Sequence, residues 1–405
     1  GHRVILANPG AGKSVLLLSK AFKYASMYKD SNILLTCYNS NLADSYCFKR
    51  SCANFGNDSN LHIMTFHKLV KKIYEECLHA RCADNIATPE EIQNCINLVK
   101  SGKLKLRFKA IFIDEVQIFD PQYLELCYLL LEDAEDNTFL MAGDLNQTVR
   151  KKSRRGDVPW KKIAGVTLDF TGRVKYIRKN YRNSKQIGLY LCHMLQHMNE
   201  RMKMLNLIDF KELEYDSFEV GETKSLALNV KTGIGRMDIT KKTVDAIKEI
   251  AEKYKLSYSE IAVLFPYKQH DRIRYYNLYW LRQALDAEDI PYSMITSSRD
   301  GIFERKRYSD TNGVVLSTID SSLGLDFKAV IVTGLYPYNY IYGDDFYKKE
   351  ISSWNTIKGM NDDDQLQVQS QMRAIYTACS RARDVLYVLS DLKPGSPMEE
   401  ILKNR

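Results

Sequence analysis

Short apolar runs recur along this chain, separated by stretches with helical spacing. In the first part they fall at Ile33–Thr36, Ile63–Phe66, Ile111–Asp114 and Leu140–Gly143. Runs that are apolar throughout, alternating with helices, predict buried parallel strands with helices on both faces. A second series falls at Ile261–Phe265, Val314–Thr318, Val330–Thr333 and Val385–Leu389, with helix-like stretches such as Lys241–Tyr254 between them. The expected fold class is α/β with two mostly parallel sheets. A helical insertion is expected in the first domain at about 70–105. Polar, basic sequence from Arg150 to about Gly172 reads as the crossover, which sets domains at 1–170 and 171–405. No internal repeat or low-complexity tract interrupts the pattern.

The first apolar run breaks into a turn, Val4-Ile5-Leu6-Ala7-Asn8-Pro9-Gly10-Ala11-Gly12-Lys13-Ser14, and continues as a Leu-rich helix. Glycines let backbone N–H groups curl around an anion, and a helix N-terminus adds its dipole. Lys13 is placed to reach the β- and γ-phosphates and Ser14 to ligate Mg²⁺. Pro9, Gly10, Ala11, Gly12, Lys13 and Ser14 are therefore the candidate nucleotide contacts, with ATP and Mg²⁺ as the expected cofactors. Ala7 stands where the usual pattern has its first glycine, and small-residue turns before helices also occur without a ligand. Alone, the loop leaves both readings open.

Two later runs end in acids. Ala110-Ile111-Phe112-Ile113-Asp114-Glu115-Val116-Gln117 would deliver a Mg²⁺-directed Asp114 and a water-activating Glu115 to the carboxyl edge of a parallel sheet. Phe139-Leu140-Met141-Ala142-Gly143-Asp144-Leu145-Asn146-Gln147 repeats the design, with Gln147 placed to sense the γ-phosphate or its attacking water. Each alone is also compatible with a strand end carrying a solvated acid.

Composition narrows the class without deciding it. The chain has 405 residues, 45% hydrophobic and 27% charged, with a formal charge of +8. Its apolar runs stay short of the ~20 residues a spanning helix needs, so no membrane partner is expected. Basic residues cluster at Arg150–Arg155, Lys103–Lys109 and Arg305-Lys306-Arg307, where they either track phosphates or form a solvated surface. The nine cysteines include no Cys-x-x-Cys pair, and no signal peptide precedes the first strand, which points to a reducing, cytoplasmic setting. Cys47, Cys52, Cys77 and Cys82, with His62, His67 and His79, form one candidate metal cluster. Five-residue steps do not put two thiols on one helical face, which favours free thiols.

Taken in order, these segments resemble superfamily 1 helicases of the UvrD, Rep and PcrA type, in which Ala at position 7 is common. Thr36-Cys37-Tyr38-Asn39 and Thr65-Phe66-His67 resemble the nucleic-acid segments of that family. Asp114-Glu115-Val116-Gln117 and Gly143-Asp144-Leu145-Asn146-Gln147 resemble its two ATPase motifs. Asn180-Tyr181-Arg182-Asn183 resembles Asn-Tyr-Arg-Ser, and Thr318 to Phe327 resembles Thr-x-His-x-x-Lys-Gly-Leu-Glu-Phe. Tyr376 to Arg383 resembles Tyr-Val-Ala-Leu-Thr-Arg-Ala. The resemblance implies two RecA-like P-loop NTPase domains that hydrolyse ATP where they meet, with Arg182 and Arg381 of the second completing the site. It implies a 3′–5′ translocase or helicase on single-stranded or partly duplex DNA.

Further roles rest on the same resemblance. Tyr181 would stack on adenine, or be a core tyrosine; Asp326 would meet the ribose hydroxyls. Thr36, Tyr38, Asn39, Thr65, Phe66, His67 and Thr318 would touch nucleic acid, with Phe66 and Tyr38 stacking on bases unless they are core. Asp320 and Leu323 replace the family's His and Lys, which removes two expected contacts. A basic run ending Arg155-Gly156 replaces its Trp-Arg-Gly stretch, leaving Trp160 either to stack on bases or to serve a core or linker. Arg383 reads as an ordinary helix-surface arginine. Only about twenty residues separate Ile290-Pro291-Tyr292 from Gly313, so the large accessory domain is expected to be absent or reduced. The adenine-reading Gln that precedes the loop in relatives is expected upstream of Gly1. An alternative is a nucleic-acid-stimulated ATPase module of a larger nuclease assembly in repair or phage defence. A third reading is a non-motor P-loop protein or an RNA-directed enzyme, since DNA and RNA offer the same phosphates.

Overall fold

The computed structural model describes residues 1–53, 60–78, 86–132, 136–144, 170, 172–205, 219–296, 304–343 and 348–403. Contacts group the described residues into two units: 1–7, 12–144 and 170–177 in the first, and 178–403 with the turn Asn8–Ala11 in the second.

The first unit comprises β1 (His2–Ala7), α1 (Lys13–Met27), β2 (Ile33–Cys37), α2 (Ser40–Cys52), β3 (Leu61–Thr65), α3 (Phe66–Leu78), α4 (Pro89–Lys100), β4 (Ala110–Ile113), α5 (Pro121–Leu129), β5 (Thr138–Gly143) and β6 (Val174–Ile177). Its six strands run in the order β3-β2-β4-β5-β1-β6, every neighbouring pair parallel. Ile33, Leu35, Phe112, Leu140 and Ala142 pack on Leu17, Leu18 and Ala21 of α1 and Leu42, Ala43 and Tyr46 of α2. The intervening Leu34, Ile111, Ile113, Phe139 and Met141 are buried as well. A sheet covered on both faces explains why these strands read as unbroken apolar runs. Because β4, β5 and β1 are adjacent and parallel, the loops that follow them leave from one sheet edge. Helix α4 begins at a capping box in which Thr88 and Glu91 satisfy each other's backbone N–H groups, with Pro89 in the first turn.

The second unit contains α6 (Lys185–Met204), β7 (Ala227–Lys231), α7 (Ile239–Tyr254), β8 (Ile261–Phe265), α8 (Asn277–Asp286), β9 (Tyr292–Met294), β10 (Val314–Thr318), β11 (Phe327–Val332), β12 (Tyr340–Tyr342), β13 (Lys348–Glu350), α9 (Trp354–Lys358), α10 (Asp362–Cys379), β14 (Ala382–Leu389) and α11 (Pro397–Lys403). Its main sheet has the order β7-β14-β11-β8-β10-β9, again all parallel, and β12 pairs antiparallel with β13. Side chains alternate cleanly: Ala262, Leu264, Val330, Val332, Leu386 and Val388 face the α6 and α10 side. Ile261, Val263, Phe265, Ala329, Ile331, Val385 and Leu389 face α7 and α8. The α/β reading with two parallel sheets therefore holds. β6 and β7 were not among the expected strands, being largely half-exposed. Among the described residues no helix is long and apolar enough to cross a membrane.

Candidate nucleotide site

β1 stops at Ala7 and α1 starts at Lys13, leaving a tight turn between them. Gly10 and Gly12 take φ of +72° and +84°, a region that a side chain makes costly. No acidic residue occupies the first turn of α1, so its exposed N–H groups and dipole are left for an anion. Lys13 is buried, and its Nζ donates to Ala7 O at 2.8 Å. Gly10 is also confined within the second grouping. A Cβ there would lie 2.3 Å from Asn180 Oδ1 and 2.6 Å from Arg182 Cβ, and Tyr181 N–H donates to Gly10 O at 2.9 Å.

Asp114 follows β4 directly and is fully buried. Ser14 Oγ donates to Asp114 Oδ2 at 2.7 Å, the Tyr46 hydroxyl donates to the same oxygen, and Glu115 N–H donates to Oδ1 at 2.9 Å. Burial, then the adjacent Glu115, pushes the Asp114 carboxyl above its ordinary range; the Tyr46 and Ser14 hydrogen bonds and the Lys13 charge pull it back part of the way. These residues fit a Mg²⁺ ion. A serine hydroxyl and a carboxylate oxygen converge beside the phosphate turn, they are the hard oxygen donors Mg²⁺ takes, and a cation would offset the cost of a buried carboxylate.

Glu115 sits at φ +55°, unusual for a residue with a side chain. Gln117 holds it: the Gln117 amide donates to Glu115 Oε2 at 2.5 Å, while Gln117 Oε1 accepts from Asp144 N–H at 3.0 Å. Gly143 leaves room for this bridge, since a Cβ there would lie 2.5 Å from Gln117 Oε1. The sequence reading gave no role to Gln117 or Tyr46. For Gln117 the signal was its place behind an acid pair at a strand end. For Tyr46 it was a hydroxyl carried on the sheet-facing stripe of α2, one turn beyond Leu42.

Gln147, Trp160 and the basic run Arg150–Arg155 lie outside the described residues. Thr36 is fully buried in β2, and Tyr38 is half-buried with its ring edge-on to His67 at 5.0 Å. The Asn39 side chain caps α2 by accepting from Asn41 N–H, and Thr65 Oγ1 accepts from Lys68 N–H in the first turn of α3. Phe66 opens α3 instead of closing β3. Its ring is fully buried and stacked on Tyr123 at 4.3 Å, so it takes the core alternative and offers no face to a base. His67 is buried, its Nδ1 accepting from Ala87 N–H. In the Lys103–Lys109 stretch, Lys109 pairs with Asp136 and Arg107 donates to Leu104 O and Leu106 O, which leaves Lys103 and Lys105 as its exposed cations. Among the described residues no group of three or more His, Cys, Asp or Glu converges to hold a metal.

In the second unit Asn180 Oδ1 accepts from Arg182 N–H at 3.0 Å and Asn183 N–H at 3.1 Å. Asn183 Nδ2 in turn donates to Ser380 O at 3.1 Å and to Ala382 O, which joins the two arginine-bearing segments. Arg182 is half-buried. Arg381 is 1% exposed, its guanidinium donating to Thr377 O and Leu325 O, both at 3.2 Å. Tyr181 is 70% exposed, with Lys179 over its ring. Asp326 pairs with Arg383 at 3.7 Å at the surface, and Thr318 Oγ1 donates to Ser321 Oγ at 2.9 Å.

A glycine-turned phosphate loop on a parallel α/β unit, with a serine and a strand-end aspartate beside it, defines a P-loop nucleotide-binding protein. Comparison with known proteins is consistent with that class: the family model described as an AAA domain matches residues 2–152. Among solved structures, the crystal structure of the NS3-like helicase from Alongshan virus is similar at 12% identity over 96% of this chain and 73% of that chain, with a TM-score of 0.38. No curated protein matches.

Proposed function

We propose that this chain hydrolyses ATP to move 3′ to 5′ along single-stranded DNA. The observation that carries the hydrolytic part is the 2.7 Å approach of Ser14 to Asp114 at a loop whose lysine is already held in place. Phosphoryl transfer needs little covalent work from a protein, so the task is positioning and charge neutralisation. Lys13 supplies a positive charge to the β- and γ-phosphates, and the N-terminus of α1 supplies backbone donors. Ser14 and Asp114 would hold a Mg²⁺ ion, whose charge would help neutralise the phosphates. Glu115 orients water and accepts its proton as the oxygen attacks the γ-phosphorus and the bond to the bridging oxygen breaks, releasing ADP and phosphate, while Gln117 fixes the Glu115 carboxylate. Arg182 and Arg381 neutralise charge on the transferred group, as the resemblance to superfamily 1 helicases implies; one such arginine supplies roughly 10³–10⁵ in rate. The DNA substrate and the direction of travel rest on that resemblance too.

The test is steady-state ATP hydrolysis by wild type, Lys13→Ala and Glu115→Gln, with displacement of a blocking protein from either end of a DNA strand. Turnover should fall at least about 10²-fold in each variant, and wild type should clear the 5′ end alone. Turnover insensitive to Lys13, or clearance of the 3′ end, contradicts the proposal.

A further inference from the structure

Asp114 accepts hydrogen bonds from Ser14, Tyr46 and Glu115 N–H, and one of these holders comes from outside every motif. Tyr46 lies in α2, 68 residues away in sequence, and its hydroxyl donates to the same Oδ2 that Ser14 contacts. The ring is 1% exposed and packs in the core formed by β2, β4 and α1. Its hydroxyl has thus been brought into an apolar interior, where a polar group without a partner is costly. A phenylalanine would fill the same space without that requirement. The polar partners that the hydroxyl meets there are Asp114 and, beside it, Ser14, the two side chains that converge at the loop.

We infer that Tyr46 is a positioning residue for the metal-directed Asp114, fixing its carboxylate so that Oδ2 is presented beside Ser14. This rests on the reading of the loop as a Mg²⁺-nucleotide site. Outer partners of metal-binding carboxylates commonly matter nearly as much as the ligands, because an unanchored carboxylate must be ordered each time the ion binds. Tyr46 also ties that carboxylate to α2, whose N-cap Asn39 closes the segment expected to touch nucleic acid.

The experiment is a Mg²⁺ titration of the affinity for a non-hydrolysable fluorescent ATP analogue in wild type, Tyr46→Phe, Asp114→Asn and the double variant, with Lys13→Ala as control. Thermal unfolding of each variant reports on packing. Tyr46→Phe should raise the Mg²⁺ midpoint about tenfold, the scale of losing an outer partner of a metal ligand. Analogue affinity without Mg²⁺ should stay within about twofold of wild type, since uncharged packing is retained. In the Asp114→Asn background the same substitution should have no further effect, because Tyr46 acts through that carboxylate. An unchanged or lowered midpoint in Tyr46→Phe overturns the inference, as does an equal shift with and without Asp114. If wild type shows no Mg²⁺-dependent affinity and Lys13→Ala binds as well as wild type, the nucleotide reading itself has failed and the inference falls with it.

Discussion

At the scale of single residues, the site depends on where side chains are missing as much as on where they are present. Gly10 combines a φ of +72° with a neighbour, Asn180 Oδ1, that a Cβ would meet at 2.3 Å. Gly10→Ala should therefore lower stability by at least about 1 kcal/mol from backbone strain alone and weaken nucleotide binding, since the displaced Asn180 also holds Arg182 and Asn183. Urea unfolding and analogue binding would check both, and a neutral Gly10→Ala would contradict the close approach. Glycine, lysine, serine and acid-pair positions were legible because the turn and the strand ends are local in sequence. Tyr46 and Gln117 were not, because their roles arise from contacts across the fold to Asp114 and Asp144, which no spacing rule encodes. Phe66 stays open between a base and the core in the sequence for a related reason: an aromatic at a strand end looks the same whether it meets a base or Tyr123.

Among elements, β8 and β10 coincide with the apolar runs that predicted them, because a sheet covered on both faces leaves its mark on every position. The edge strands β6 and β7 are polar on much of their surface and carry no such mark. The carboxyl edge of the second sheet holds a buried acid that sequence did not single out. Asp391, just past β14, accepts from the Tyr275 hydroxyl at 2.5 Å and from Tyr336 N–H at 2.8 Å. Burial pushes its carboxyl from 3.8 up to about 6. A raised acid favours the protonated native state, so this group's contribution is complete below about pH 4 and is lost as pH rises through about 6. Asp391→Asn should remove that dependence, at the cost of one of the two hydrogen bonds the carboxylate accepts. Chemical denaturation at pH 4, 5, 6 and 7 would show it; parallel slopes for the two proteins would contradict the assignment.

For the whole molecule, a formal charge of +8 is modest, and part of the basic sequence is already committed. Lys109 is paired with Asp136 and Arg107 with its own loop, whereas Lys103, Lys105, Lys306 and Arg307 are exposed. If about five phosphates are contacted, affinity for single-stranded DNA should fall roughly a hundredfold between 50 and 200 mM salt, and a flat response would contradict a phosphate-tracking surface. The central proposal is that hydrolysis is coupled to nucleic acid and depends on Arg182 and Arg381, as the resemblance to superfamily 1 helicases implies. Arg381 is buried against Leu325 and Thr377, so its removal would disturb packing; half-buried Arg182 is the cleaner probe. The most direct measurement is ATP turnover with and without single-stranded DNA in wild type and Arg182→Ala. The account predicts at least about tenfold stimulation in wild type and a loss of about 10³-fold in the stimulated rate of the variant. Equal turnover with and without DNA, or an Arg182→Ala enzyme as fast as wild type, would contradict it.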